Sequence, residues 1–369
     1  MNVPVNEPVI TKEAKEYVMD ALNTGWVSSA GPYIEKFEQA FAEYIGVKHA
    51  VSVTSGTAAL HIALLSLGIG KGDEVIVPDF TMIASVFAVL YTGATPVFVD
   101  AEPDTCNIDV GLIEAKITKK TKAIMPVHIY GHSVDMDPVL ALGKKHHLHV
   151  IEDAAEAHGA LYKEKKCGSM GQVGCFSFYG NKIVTTGEGG MIVTNDDTLA
   201  EKARALKDLS HIPGRRFWHD AVGYNYRMTN MQAACGLGQL KHIDEFLKHK
   251  QWMAAAYEKK LGKINGLTLP VTKSYASNVH WMYSVRVEDG FPLKRDAFRI
   301  ALKKEGIDTR DFFPSSASQP VIRKLFGNTG KFLVSEQIAR EGLYLPSGLA
   351  LTSAQLTYVC DAIERIAHG

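Results

Sequence analysis

Phe176-Ser177-Phe178-Tyr179-Gly180-Asn181-Lys182-Ile183-Val184-Thr185-Thr186-Gly187-Glu188-Gly189-Gly190 sets one lysine between a hydroxyl-bearing strand pattern and a glycine-rich turn. Upstream, Val150-Ile151-Glu152-Asp153 reads as a strand that ends on acids. Working outward, short apolar runs at His49–Val53, Glu74–Pro78, Thr95–Val99, Lys122–His128, His149–Glu152, Gly174–Phe178 and Gly190–Thr194 read as strands. Helical patterns at Thr57–Leu67, Met82–Tyr91 and Met136–His146 separate the early ones. Continuous Val, Ile and Ala strands alternating with helices predict an α/β fold, a mostly parallel sheet covered on both faces. The strands on either side of the Thr186–Gly190 turn are expected to run antiparallel.

The chain has 369 residues, more than one hydrophobic core usually serves. A large domain over 1–248 and a smaller α+β domain over 249–369 are expected. In the second, Trp281–Val287 reads as a strand and Leu293–Lys304 as a helix, and Thr352-Ser353-Ala354-Gln355 opens a final helix with a capping box. Forty basic residues balance forty acidic ones, which argues against nucleic acid or an anionic membrane as partner. Five scattered cysteines without a Cys-x-x-Cys pair suit free thiols in the cytoplasm, not disulfides or zinc. The N-terminal residues lack a signal-peptide pattern, and the apolar run from Thr81 to Val99 is broken by Gly93 and Pro96, so no membrane span is expected.

Four constellations bear on chemistry. Thr54-Ser55-Gly56-Thr57 follows a strand and opens a helix, so its free N–H groups and hydroxyls suit a phosphate; the same residues also make an ordinary N-cap. Asp153 and Glu156 stand at the C-terminal end of a strand, the edge where open α/β sheets collect ligands. Such acids also cap helices. Lys182 has Ser177 five residues before it. A lysine that reaches a carbonyl, with an aspartate facing a pyridine nitrogen, is what pyridoxal phosphate chemistry requires. Arg215, Arg216, Trp218 and His219 precede Gly223-Tyr224-Asn225-Tyr226-Arg227-Met228-Thr229-Asn230. Paired arginines beside aromatics suit a phosphorylated or nucleotide ligand, or form a stacked surface loop. Gly68-Ile69-Gly70-Lys71-Gly72 ends a helix, the wrong order for a dinucleotide loop. Lys144-Lys145-His146-His147-Leu148-His149 reads as a charged helix end, and no metal site is expected.

Taken in order, Ser-Gly-Thr after a strand, Glu152-Asp153-Ala154-Ala155-Glu156-Ala157, the Lys182 segment and the Asn225 motif resemble the sugar-nucleotide aminotransferases of the DegT/StrS type, from Trp26-Val27-Ser28-Ser29 to Leu345-Pro346-Ser347. The resemblance implies a pyridoxal phosphate (PLP) enzyme of fold type I, a homodimer with shared sites, working in deoxy-amino sugar biosynthesis. It implies Lys182 as the lysine that bonds to the cofactor and then carries protons, and Asp153 as the partner of the pyridine nitrogen. Glu156 lies near the ring oxygen, and Ser55, Gly56, Thr57 and Ser177 hold the phosphate. Asn225 reaches it from the neighbouring subunit. Trp26, Ser28, Arg215, Arg216, Trp218, His219 and Arg310 fall on the substrate side.

The implied reaction takes an amino group from glutamate to the keto group of a nucleotide-linked 4-keto-6-deoxy sugar. The Arg216–Arg227 stretch and Asn181 beside Lys182 resemble the members that act on GDP-4-keto-6-deoxy-mannose. Two departures stand out. Met82 occupies the place of a ring-stacking aromatic, and a thioether still packs on a ring face. Asp311 and Ala317 stand where a proline and a histidine are expected, which leaves dTDP- or UDP-linked sugars open as alternatives. A PLP-binding regulator and a nucleotide-sugar-binding module without PLP are the other classes considered.

Overall fold

The strands form where Val, Ile and Ala run without interruption between glycines and polar punctuation. They are β1 (His49–Val53), β2 (Glu74–Pro78), β3 (Thr95–Val99), β4 (Thr121–Ile124), β5 (His149–Asp153), β6 (Leu161–Tyr162), β7 (Lys165–Lys166), β8 (Val173–Ser177) and β9 (Gly190–Thr194), followed by β10 (Leu267–Thr268), β11 (Ala276–Ser277), β12 (Tyr283–Val287), β13 (Arg310–Asp311) and β14 (Gly342–Leu345). The structure, a computed structural model, describes residues 1–212, 214–215 and 217–368. Among these residues the main sheet has seven strands in the order β1-β9-β8-β5-β4-β2-β3. Only β9 is reversed, pairing antiparallel with both β1 and β8 through the register Val53↔Gly190 and Ser177↔Gly190. The chain is therefore an α/β protein of the doubly covered, mostly parallel type, the architecture of fold type I.

The helices before the final third are α1 (Lys12–Asn23), α2 (Pro32–Ile45), α3 (Gly56–Ser66), α4 (Ala84–Tyr91), α5 (Met136–His146), α6 (Asp197–Lys207), α7 (Asn230–Leu240) and α8 (Ile243–Leu261). One core layer joins α2 and α7 to the sheet through Phe37, Phe41, Phe176 and Phe178, and a second packs α3 and α4 through Leu60, Ile62, Val86 and Val89. The helix α3 shows no polar face because it is buried all round, which is why its pattern is apolar throughout. The later part places α9 (Arg295–Lys304), α11 (Leu333–Glu341) and α12 (Ser353–His368) around the sheet β10-β12-β14-β13, while α10 (Pro320–Phe326) packs its Ile322 into the core of α3 and α4. Its core joins Tyr257, Tyr283, Phe298, Val359 and Ile363 with Val3 from the start of the chain. The long helix α8 crosses the expected 248/249 boundary without a break.

Several expected elements shift, each for a local reason. The strand expected to reach His128 stops at Ile124, because Pro126 has no N–H to donate; beyond it the pairing with β5 survives only as Asp153 N donating to the Pro126 carbonyl at 2.9 Å and a bridge from Val127 to Asp153. The helix expected from Met82 starts at Ala84, and the Met82 sulfur accepts from Ala84 N. The strand expected from Trp281 starts at Tyr283, since the Trp281 N–H is taken by the Tyr130 carbonyl. The capping box before α12 is present: Thr352 Oγ1 accepts from Gln355 N, and Gln355 Oε1 accepts from Thr352 N. Among the described residues, no helix is long and apolar enough to cross a membrane, and no cluster of His, Cys, Asp and Glu is placed to hold a metal.

Candidate active site

Strands β1, β5 and β8 run parallel, so their C-terminal ends deliver Ser55, Asp153 and Ser177 to one edge of the sheet. There a cavity of about 810 Å³ opens, lined by Ser55, Gly56, Thr57, Met82, Asp153, Glu156, Ser177, Lys182 and Arg310. Nine of the site residues expected from sequence thus share one space.

One corner of it is formed by the first turn of α3. Ser55 is the N-cap, its Oγ accepting from Ala58 N at 3.1 Å, and the N-terminal end of the helix is aimed at the cavity rim. Gly56 is required by close approach, since a Cβ there would sit 2.8 Å from the Ser177 Cβ. A Cβ on Gly190 would likewise meet the Ser55 carbonyl at 2.3 Å, which explains the glycine at the end of the turn.

Asp153 closes β5 in a buried position. Ser85 Oγ donates to its Oδ2 at 2.7 Å and Ala155 N donates to its Oδ1 at 3.1 Å. Burial raises its pKa, opposed by these hydrogen bonds and by the charge of Lys182. Glu156 Oε2 accepts from Tyr130 N at 2.8 Å, and its Oε1 lies 3.8 Å from Lys182 Nζ. Burial pushes Glu156 up to about 7 and Lys182 down, while their mutual attraction opposes both shifts. Lys182 is thereby moved toward its free-base form, the state in which an amine attacks a carbonyl.

Glu152 and His158, neighbours of these acids in sequence, are structural. Glu152 accepts from Gly168, Met170 and Gly171 N–H groups and contacts His128 Nε2 at 3.0 Å. His158 packs among Phe41, Phe176 and Phe178, and burial lowers its pKa to about 3.

The other expected residues lie elsewhere. Asn225 bridges to Asp208 in an extended segment that is tied to the cradle by Thr54 N donating to the Tyr226 carbonyl. Trp26 is half exposed, and its carbonyl and that of Ser28 accept from Asn230 at 2.6 Å each. Arg215 stands over the Trp218 ring, and His219 Nδ1 contacts the Leu209 carbonyl. Arg216 lies outside the described residues. None of the six described ones lines the cavity of its own chain. The departures near Arg310 are also accounted for: Asp311 is paired with Arg295 at 3.0 Å and Arg299 at 3.3 Å, and Ala317 N donates to the buried Asp79 at 2.8 Å.

Ser85, Trp281 and Tyr344 line the site without having been expected there. Ser85 sits in a pattern that reads only as an apolar helix, and Trp281 in one that reads only as a strand. A large aromatic just before a strand, in Asn278-Val279-His280-Trp281, is the one sequence signal for the latter.

The donor set fits PLP on three points visible in the fold: an anion cradle at a helix N-terminus, a largely buried lysine whose surroundings drive it toward the free amine, and a buried aspartate needing a cationic partner. Fold and site together define a PLP-dependent transferase of fold type I. The chain belongs to the DegT/DnrJ/EryC1/StrS aminotransferase family, which it matches over residues 8–364. It is 47% identical to the GDP-perosamine synthase of Caulobacter vibrioides over 365 residues, 99% of this chain and 98% of that protein. Identity to the GDP-perosamine synthase of Escherichia coli O157:H7 is 44% over 362 residues, 98% of each. Among solved structures, Helicobacter pylori PseC, an aminotransferase involved in the biosynthesis of pseudoaminic acid, has a TM-score of 0.94 at 28% identity, with both chains fully covered. The chain is a PLP-dependent sugar aminotransferase, acting on a nucleotide sugar and an amino donor.

Proposed function

We propose that the chain transfers an amino group from glutamate to the 4-keto group of GDP-4-keto-6-deoxy-mannose, forming GDP-perosamine, as a cytoplasmic homodimer with large and small domains over 1–248 and 249–369. The observation that carries this reading is the gathering of Lys182, Asp153 and Glu156 in one cavity of a chain similar end to end to GDP-perosamine synthases. Bound PLP supplies an electrophilic carbonyl and an electron-withdrawing pyridinium ring. Ser55, Gly56, Thr57 and Ser177 would hold its phosphate, and Met82 would pack on the ring. Asp153 would pair with the protonated ring nitrogen and keep that proton in place, and Glu156 would lie toward the ring oxygen. Lys182 Nζ takes and returns the proton that moves between carbon centres, Glu156 holding it within reach. Arg310 on the cavity wall answers the nucleotide sugar's negative charge.

Support for the dimer comes from expected site residues that do not line the cavity of their own chain. Asn225, Arg215, Trp218 and His219 sit with the exposed Phe217 and Val222 on one segment, as do Trp26 and Ser28 beside Asn230. On this reading Asn225 completes the neighbour's phosphate site. Mixing inactive Lys182→Ala with inactive Asn225→Ala chains should then restore activity in hybrid dimers, because one of the two sites escapes both changes. No recovery after verified subunit exchange would contradict the shared site.

The substrate is tested by competition among nucleotide 4-keto-6-deoxy sugars with glutamate as donor, products being weighed by mass spectrometry. The GDP-mannose compound should have the highest kcat/KM. Preference for dTDP- or UDP-4-keto-6-deoxy-glucose would overturn that assignment and direct attention to Ala317, and no amination of any sugar would favour a regulator.

A further inference from the structure

Lys182 Nζ lies 3.7 Å from the centroid of the Trp281 ring, as close as it lies to Glu156. The indole is 4% exposed, and each polar atom of Trp281 is tied. Its backbone N–H donates to the Tyr130 carbonyl at 2.9 Å, its indole N–H to the Asn181 carbonyl at 2.8 Å, and its carbonyl accepts from Lys250 Nζ at 2.9 Å. Two of these ties return to Lys182. Asn181 directly precedes it, and Tyr130 N is the donor that holds Glu156. Tyr130 and His280, on either side of the arrangement, adopt left-handed backbone angles of φ 53° and 46°, which non-glycine residues take up where the surroundings impose them. Lys250 itself is buried in α8, its amino group spent on the Trp281 and Ser347 carbonyls. Core filling needs none of this, and it gives no reason for a ring face against an amine.

We propose that Trp281 is a positioning residue: its ring face holds the Lys182 amino group beside Glu156 and, by attracting the ammonium form, sets the pH at which that group becomes a base. This rests on Lys182 being the lysine that bonds to the cofactor. A cation over an indole face is stabilised by the ring's quadrupole, the more so when water is excluded. The other charged groups acting on Lys182 are Glu156 and Asp153, which also favour the ammonium; His158, lowered by burial, is neutral, and Glu188, Arg310 and Asp311 share the cavity wall. Burial opposes all of them. Removing the ring while leaving both carboxylates should lower the midpoint without abolishing the charge.

The test uses holoenzyme charged with glutamate alone, in which the cofactor carries the amino group and Lys182 is free. Trace acetic anhydride labelling between about pH 6 and 10, read on the Lys182 peptide by mass spectrometry, gives the midpoint of that one amine. Trp281→Leu and Trp281→Met, run in parallel, should lower it by about 0.5 to 1 pH unit, and Trp281→Phe, which keeps a ring face, should restore most of it. Wild-type midpoints in both non-aromatic variants, with cofactor content and melting temperature retained, would overturn the proposal. A borohydride tag on Lys182 in unreduced wild-type holoenzyme separates the two levels: its absence overturns the underlying reading, whereas its presence with unmoved midpoints overturns only the role of Trp281.

Discussion

Lys182→Ala should lower turnover by at least about four orders of magnitude, roughly 5.5 kcal/mol in barrier, since one amine serves as both covalent attachment point and proton carrier. Binding is a separate matter. The cradle at Ser55, Gly56, Thr57 and Ser177 and the carboxylate of Asp153 are untouched by the change, so the variant should still hold pyridoxamine phosphate at close to one per chain, measured by absorbance after gel filtration. Folding should be little affected, because the variant removes a largely buried amine whose charge desolvation penalises. Substantial turnover in this variant would place the chemistry on another group.

Asp153→Asn keeps the shape of the side chain and removes its charge. The amide still offers an oxygen to the Ser85 hydroxyl, so the local structure should survive. What is lost is the anion that keeps the ring nitrogen protonated, and with it the sink for negative charge at the reacting carbon. A fall in kcat of at least about two orders of magnitude, roughly 3 kcal/mol, is expected. Single-turnover kinetics with glutamate should place the loss in the proton-transfer step. Near-normal rates would make Asp153 a structural acid like its neighbour Glu152, whose oxygens are taken up by backbone N–H groups.

What could be read from sequence follows from which residues act locally. The strands β1, β2, β3 and β9 were legible to the residue because each apolar run is bounded by its own punctuation, such as the Gly-rich turn before Gly190 and Pro78 at the end of β2. Lys182, Asp153 and Ser55 were legible for the same reason: each sits at the end of such a run, and a parallel sheet brings those ends together without further instruction. Ser85 and Trp281 were not. Ser85 meets Asp153 across 68 positions of chain, and Trp281 is fixed by Tyr130, Asn181 and Lys250, far from it in sequence. Lys250 itself looks like any surface lysine of a helix rich in them, and only the packing of α8 shows it to be buried. The Asn225 motif gave the opposite case, a recognisable pattern whose asparagine does not line the cavity of its own chain.

Covalent attachment of PLP at Lys182 is tested by borohydride reduction of the purified holoenzyme followed by peptide mass mapping. A phosphopyridoxyl mass on the peptide containing Lys182, together with loss of visible absorbance, is the expected result. A tag on any other lysine, or none on protein that binds the cofactor stoichiometrically, would contradict it.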